Sequence, residues 1–221
     1  MPLGTHRRTW YRQVSYHAVC QTHRVEAFTV YAGKLAIVPG DDIDTDRIIP
    51  ARFLTRVSRS GYGELLFCDV RGADFILDQP EASATTVMLV GTNFGCGSSR
   101  EHAVWAIQQA GFRAVIAKKT PTSPGYSDIF RQNAANCGLL LAEVSESNHA
   151  ILASVGTGAE ITVDLPNQTI TTSAGSVSFE INPVTKQALI EGLDLIGTTL
   201  VHSPQISAYE STHDSFAPIA L

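Results

Sequence analysis

Between Gly91 and His102 the chain reads Gly-Thr-Asn-Phe-Gly-Cys-Gly-Ser-Ser-Arg-Glu-His, which puts three glycines, two adjacent hydroxyls and a guanidinium into one short segment. Glycines let backbone N–H groups come close to a ligand. An arginine beside a helix N-terminus, with its free N–H groups and positive dipole end, suits a carboxylate or a phosphate. Two common phosphate loops fail on residue identity. A dinucleotide fingerprint needs a glycine where Arg100 stands, and a Walker-type loop needs a lysine that does not follow Gly97. An anion-binding corner remains. Ser98 has two readings: Ser98-x-x-Glu101 forms a capping box, so the hydroxyl could serve only a helix N–H, or it could act on a ligand. Capping alone requires neither Ser99 nor Arg100, nor three glycines.

Other chemistry-bearing side chains stay open between a structural and a functional role. Cys96 is either a small buried hydrophobe or a nucleophile. His102 is either a base or a side chain satisfied within the first helical turn. Asp42, Asp44 and Asp46 fit Asx-turns, or the ligands of a hard cation, although no glutamate completes an EF-hand. Arg52, Arg56 and Arg59 form a solvated basic face or converge on a shared acidic ligand.

The elements that must hold these residues follow from periodicity. Thr85–Val90 is an apolar run that predicts a buried strand. From Ser98 onward, Ala103, Ala106, Ile107 and Ala110 recur at helical spacing, and Gly111 ends the segment. Ala114–Ala117 is a second strand. The result is a βαβ unit with the glycine turn at the carboxyl end of its first strand, where open α/β sheets place ligands. Upstream, one or two short strands over Phe28–Val38 lead into the acidic loop Pro39–Asp46. Arg52–Arg56 reads as a short helix or an extended loop, and Ser58–Gly63 as a mobile loop. Downstream come a Pro/Ser/Gly loop at Lys118–Gly125 and a helix over Ser127–Asn136. A strand at Leu139–Leu141 and a helix over Ser145–Val155 follow. A hairpin at Ile161–Leu165 and Thr169–Thr172, a strand at Val177–Ile181, a helix to Glu191 and a last short helix from Ser203 complete the pattern.

A chain of 221 residues with 44% hydrophobic and 17% charged residues can bury a single sizeable core. A net charge of −5 argues against a nucleic-acid or anionic-membrane surface. No apolar stretch approaches the roughly 20 residues of a membrane helix. Cys20, Cys68, Cys96 and Cys137 lie far apart without a C-x-x-C pair, so no zinc or self-contained iron–sulfur site is expected on this chain. Free thiols in a reducing cytoplasm are the default expectation. Residues 1–25 carry Arg7, Arg8, Arg12 and Arg24 and no acidic residue. They fit an organelle-targeting segment or a disordered extension arising from an early start codon, and the extension is the favoured expectation. Residues 26–210 are expected to form one domain and 211–221 a tail.

The Gly91–Ala106 segment closely resembles the signature of the small subunit of bacterial 3-isopropylmalate dehydratase, the swivelling fourth domain of the aconitase superfamily carried on a separate chain. Asp44–Leu54, Gly111–Ala117, Asp128–Arg131 and Glu191–Gly197 match in family order, from about residue 26 to 210. The resemblance implies an α/β fold, a single mixed-sheet β/β/α swivel domain with a C-terminal hairpin and helices. It implies a hydro-lyase of leucine biosynthesis, active only with a large subunit that carries the [4Fe–4S] cluster. Its substrate would be a small hydroxy-dicarboxylate, isomerised between 2- and 3-isopropylmalate. By the same resemblance Ser98 is the base, Arg100 supplies its positive field, and Ser99 binds a substrate carboxylate. The Arg52–Arg56 segment would choose the side group, with Phe53 and Leu54 facing an isopropyl group. Three departures are visible. Lys118–Tyr126 is longer than the family's short link, a proline usual after Leu141 is absent, and Arg52 stands where glutamine is common. They leave room for a sister hydro-lyase acting on a citraconate- or dimethylmalate-like acid. A non-catalytic, partner-binding paralogue is the third reading, against which the intact Ser98-Ser99-Arg100 turn argues.

Overall fold

The computed structural model describes residues 25–56 and 58–212. The arginine-rich segment and most of the expected tail therefore lie outside the described residues. Seven strands form one mixed sheet in the order β4-β3-β2-β1-β5-β6-β7. β1 (Val30–Ile37), β2 (Val87–Val90), β3 (Ala114–Lys119) and β4 (Leu140–Ser145) run parallel, with Ile37 opposite Leu89 and Val90 opposite Ala117. β5 (Glu160–Asp164), β6 (Thr169–Thr172) and β7 (Gly175–Ser178) add an antiparallel meander on the far side of β1. All four residues of β2 are buried, as both faces of a central parallel strand must be.

The helices α1 (Thr45–Ile48), α2 (Glu101–Gln109) and α3 (Asp128–Cys137) lie on one face of the sheet. There Val104, Ile107, Phe130 and Ala134 pack on Ala36, Met88, Val115 and Ala117. The other residues of the same strands, Leu35, Val87, Leu89, Ala114 and Ile116, face the opposite way, as a period of two requires. They meet Leu152 of α4 (Glu146–Ala153) and Leu189 of α5 (Pro183–Glu191). α6 (Leu195–Leu200) and α7 (Ser203–Thr212) close the described chain, and α6 was not expected from periodicity. No described helix is long and apolar enough to cross a membrane.

Three local expectations are corrected. The strand expected at Leu139–Leu141 runs to Ser145, because pairing with β3 continues through Lys119. The strand expected at Val177–Ile181 is Gly175–Ser178, drawn into register by a tight turn after β6. The segment Ser58–Gly63 is not a free loop at its end. Tyr62 is fully buried, and Gln109 of α2 accepts from the Tyr62 N–H at 2.8 Å while donating to the Arg59 carbonyl at 2.7 Å.

Candidate active site

Because β1 and β2 are parallel neighbours, the loops that leave them emerge at the same edge of the sheet. The acidic loop after β1 and the glycine turn after β2 run side by side. The Asp42 N–H donates to the Thr92 carbonyl at 3.0 Å, Gly95 N–H to Ile43 at 2.7 Å, and Thr45 N–H to Cys96 at 2.9 Å. Such close approach excludes side chains at two points. A Cβ on Gly91 would lie 2.3 Å from the Asp41 carboxylate and the Gly40 carbonyl. One on Gly95, which adopts φ +74°, would strike the Phe130 ring.

The capping-box reading of Ser98 does not hold. α2 begins at Glu101, and its N-cap is Arg100, in extended backbone with no side-chain cap. The Ser98 carbonyl accepts from the Thr45 hydroxyl at 2.9 Å, which pulls this residue towards α1 and away from the helix. Its own hydroxyl makes no hydrogen bond with a described residue and is exposed, as is Ser99. Beside them the Arg100 side chain is only 11% exposed and forms an ion pair with Asp46. The Arg100 guanidinium, with the Ala51 N–H at 3.1 Å, holds the Asp46 carboxyl below its ordinary value despite desolvation. Asp46 thus ties the arginine of one loop to the start of the 51–54 segment on the other.

The remaining candidates divide clearly. Asp44 caps α1, accepting from the Arg47 N–H at 2.7 Å, and Asp42 accepts from the Asn93 amide at 2.8 Å. The acidic trio therefore builds the loop pair. Among the described residues no group of His, Cys, Asp and Glu is arranged to hold a metal ion. Burial, reinforced by Asp44 and Asp42, pushes the Cys96 thiol up, so it stays protonated and is a poor nucleophile. His102 packs between Tyr62 and Trp105 with ring centroids at 5.3 and 4.7 Å. Burial lowers its pKa, and its place in this aromatic cluster favours the structural role.

The three arginines have separate partners within the chain. Arg52 pairs with Asp69 and lies 4.6 Å over the Phe53 ring, Arg56 donates to the Gly61 carbonyl, and Arg59 covers Trp105. Phe53, at the end of a 3-10 turn over Ala51–Phe53, and Leu54 are half-buried. The start of their segment is tied to the turn through Asp46, which accepts from the Ala51 N–H and pairs with Arg100. Sequence reasoning missed Asp46 as the holder of Arg100. It also missed Asn133 of α3, whose amide donates to the Ser99 hydroxyl at 3.3 Å. Only the proximity of loops distant in sequence reveals either.

A family model described as the aconitase C-terminal domain matches residues 25–147, and one described as LeuD_N matches 151–183. A curated 3-isopropylmalate dehydratase small subunit of Solibacter usitatus is 46% identical over 194 residues, covering 87% of this chain and 96% of the relative. The chain belongs to the 3-isopropylmalate dehydratase small-subunit family. A family member from Lactococcus lactis subsp. lactis is 45% identical over 193 residues, covering 84% of this chain and 98% of its own. The crystal structure of 3-isopropylmalate dehydratase from Methanocaldococcus jannaschii superposes with a TM-score of 0.60 at 28% identity, over 82% of this chain and 99% of that one. The expected swivel-domain fold, a mixed α/β sheet of aconitase type, is therefore the observed one. Family membership also makes this chain part of a hydro-lyase of the aconitase superfamily.

Proposed function

We propose that this chain is the small subunit of a 3-isopropylmalate dehydratase, interconverting 2- and 3-isopropylmalate by dehydration and rehydration in leucine biosynthesis once a large subunit is bound. The observation that carries this reading is the turn in which two exposed serines lead into a largely covered arginine at the start of α2. Dehydrating a hydroxy-diacid requires removal of a weakly acidic C–H proton beside a carboxylate. A serine hydroxyl resists losing its own proton in water, so Ser98 can act as base only in a positive, water-poor field. Arg100 and the first N–H groups of α2 supply that field from this chain. Ser99 donates to a substrate carboxylate. Phe53 and Leu54 face the isopropyl group, and Arg52, stacked on Phe53, sets that ring's position.

The family resemblance assigns the [4Fe–4S] cluster to the large subunit, where it would supply a Lewis acid for the departing hydroxyl; among the described residues of this chain no group of His, Cys, Asp and Glu is arranged to hold a metal ion. A cytoplasmic location belongs to the same reading and is supported by the free thiols Cys68, Cys96 and Cys137. The longer Lys118–Tyr126 segment supports the turn from behind. The Pro124 and Gly125 carbonyls accept from the Asn93 and Phe94 N–H groups at 2.8 and 2.9 Å. Relatives named for isopropylmalate, matched along nearly their whole length, favour that substrate over a citraconate-type acid.

The test is co-expression with the organism's large subunit, followed by assay of 2-isopropylmalate beside citraconate and homocitrate-type acids. The complex is expected to turn over isopropylmalate preferentially, and the isolated chain nothing. Activity of the purified, metal-free chain would contradict a divided site. Within the complex, Asp46→Ala is expected to lower kcat/KM by about ten- to hundredfold, because Arg100 loses the partner that fixes its position. Steady-state kinetics at matched folded fraction would check this, and an unchanged kcat/KM would remove Asp46 from the site.

A further inference from the structure

α3 stands against the glycine turn at several points along one face. Its N-cap, Ser127, donates its hydroxyl to the Gly95 carbonyl at 2.6 Å. One turn on, Phe130 meets Phe94 edge to face with centroids 5.5 Å apart. Three residues further, Asn133 reaches Ser99, and four beyond that the Cys137 thiol donates to Glu101 at 3.4 Å. Asn133 and Cys137, at i and i+4, share one face of the helix and grip the two sides of Arg100. Cys137 is held as a thiol, its pKa pushed up to about 12 by burial and then by Glu101, so it keeps the proton it gives to Glu101.

The contact at Ser99 differs from the others in kind. Every other grip ends on a carbonyl, a ring or the helix-starting carboxylate, whereas this one ends on a hydroxyl that faces solvent. A serine hydroxyl has one proton to give and two lone pairs. When the Asn133 amide N–H occupies a lone pair, the Ser99 O–H is left to donate outward. We infer that Asn133 is a positioning residue for substrate binding: it fills the acceptor side of Ser99 so that this hydroxyl presents its proton to a substrate carboxylate. The inference rests on the assignment of Ser99 as a carboxylate ligand made above. Were the amide turned round, its oxygen would take the Ser99 proton, and an aspartate would serve equally well.

The experiment uses the assembled complex and 3-isopropylmalate, with Asn133→Ala, Asn133→Asp, Ser99→Ala and the Ser99→Ala/Asn133→Ala pair. A hydrogen bond that aids bound substrate and transition state alike changes KM and leaves kcat in place. Asn133→Ala is expected to raise KM about fivefold, the scale of one neutral hydrogen bond, with kcat within about twofold of wild type. Asn133→Asp is expected to raise KM further, since it captures the Ser99 proton and repels the substrate carboxylate. In the Ser99→Ala background Asn133→Ala should add nothing, because residues acting through one another are non-additive. A residue that merely supports the fold would lower the active fraction equally in both backgrounds and leave KM alone. Unchanged KM in Asn133→Ala, wild-type KM in Asn133→Asp, or an equal increase on Ser99→Ala would each overturn the inference. A wild-type complex that does not act on isopropylmalate would instead overturn the parent reading, and this inference with it.

Discussion

Ser98→Ala is expected to lower kcat of the assembled complex by about 1,000-fold, the range in which a positioned general base contributes. KM should change little, since the hydroxyl is assigned to proton removal and Ser99 to carboxylate binding. The variant should fold as well as wild type. The Ser98 hydroxyl is exposed and makes no hydrogen bond with a described residue, while the bond that secures the turn there runs from Thr45 to the Ser98 carbonyl. The same substitution in a capping box would cost about 1 kcal/mol of stability and little activity. Thermal melting and steady-state kinetics on one preparation separate the two. Loss of stability with retained turnover would refute the catalytic role even for a correctly assigned family.

The largest stability effect is expected at Glu143, which is remote from the reacting groups. Its carboxylate is 9% exposed and accepts from both terminal nitrogens of Arg131, at 2.7 and 2.8 Å, and from the Gly125 N–H at 2.7 Å. It thereby fastens α3 and the end of the 118–126 loop to β4. Tyr126, fully buried in that loop, completes the attachment by donating to the Val115 and Ala142 carbonyls. Glu143→Ala would leave the Gly125 N–H unpaired and the Arg131 guanidinium with only the Tyr126 carbonyl and Asp128. Breaking a buried pair costs about 3–5 kcal/mol, and the low end applies because Arg131 keeps 36% exposure. Activity should fall as well, since Asn93 and Phe94 lean on that loop.

The pH dependence of this anchor has a definite sign. Burial pushes the Glu143 carboxyl up, but the Arg131 hydrogen bonds, the Gly125 N–H and the charges of Arg131 and Lys119 outweigh it, leaving it below its ordinary 4.5. A carboxyl depressed in the folded state gives stability that is complete above the unfolded value and lost as pH falls through the folded one. Wild type should therefore lose melting temperature more steeply than Glu143→Gln as pH drops below about 4.5. Parallel curves would show that Glu143 is not the acid-sensitive contact.

Much of the site was legible in the order of residues. The strand, the helix and the glycines between them are local patterns, set by side-chain periodicity and by which residues tolerate positive φ. They placed the turn at the carboxyl end of a central parallel strand, which is where the structure has it. The helices at Asp128–Cys137 and Pro183–Glu191 were legible for the same reason, and the structure caps them with Ser127 and Asn182 and ends them at Gly138 and Gly192. The start of α2 was misjudged because Ser98 has a competing bond from Thr45, 53 residues away. The basic face at Arg52, Arg56 and Arg59 could not be resolved from composition, since Asp69, Gly61 and Trp105 each claim one guanidinium.

The sequence by itself determined the family, the kind of fold and the chemistry available in the Ser98-Ser99-Arg100 turn, because residue identity and short-range spacing decide those. Only the tertiary structure decided that Asp46 holds Arg100, that Asn133 meets Ser99 and that the longer loop buttresses the turn. These contacts join segments tens of residues apart. They exist because parallel pairing of β1, β2 and β3 brings their following loops to one edge of the sheet, and no local pattern encodes which side chains will meet there.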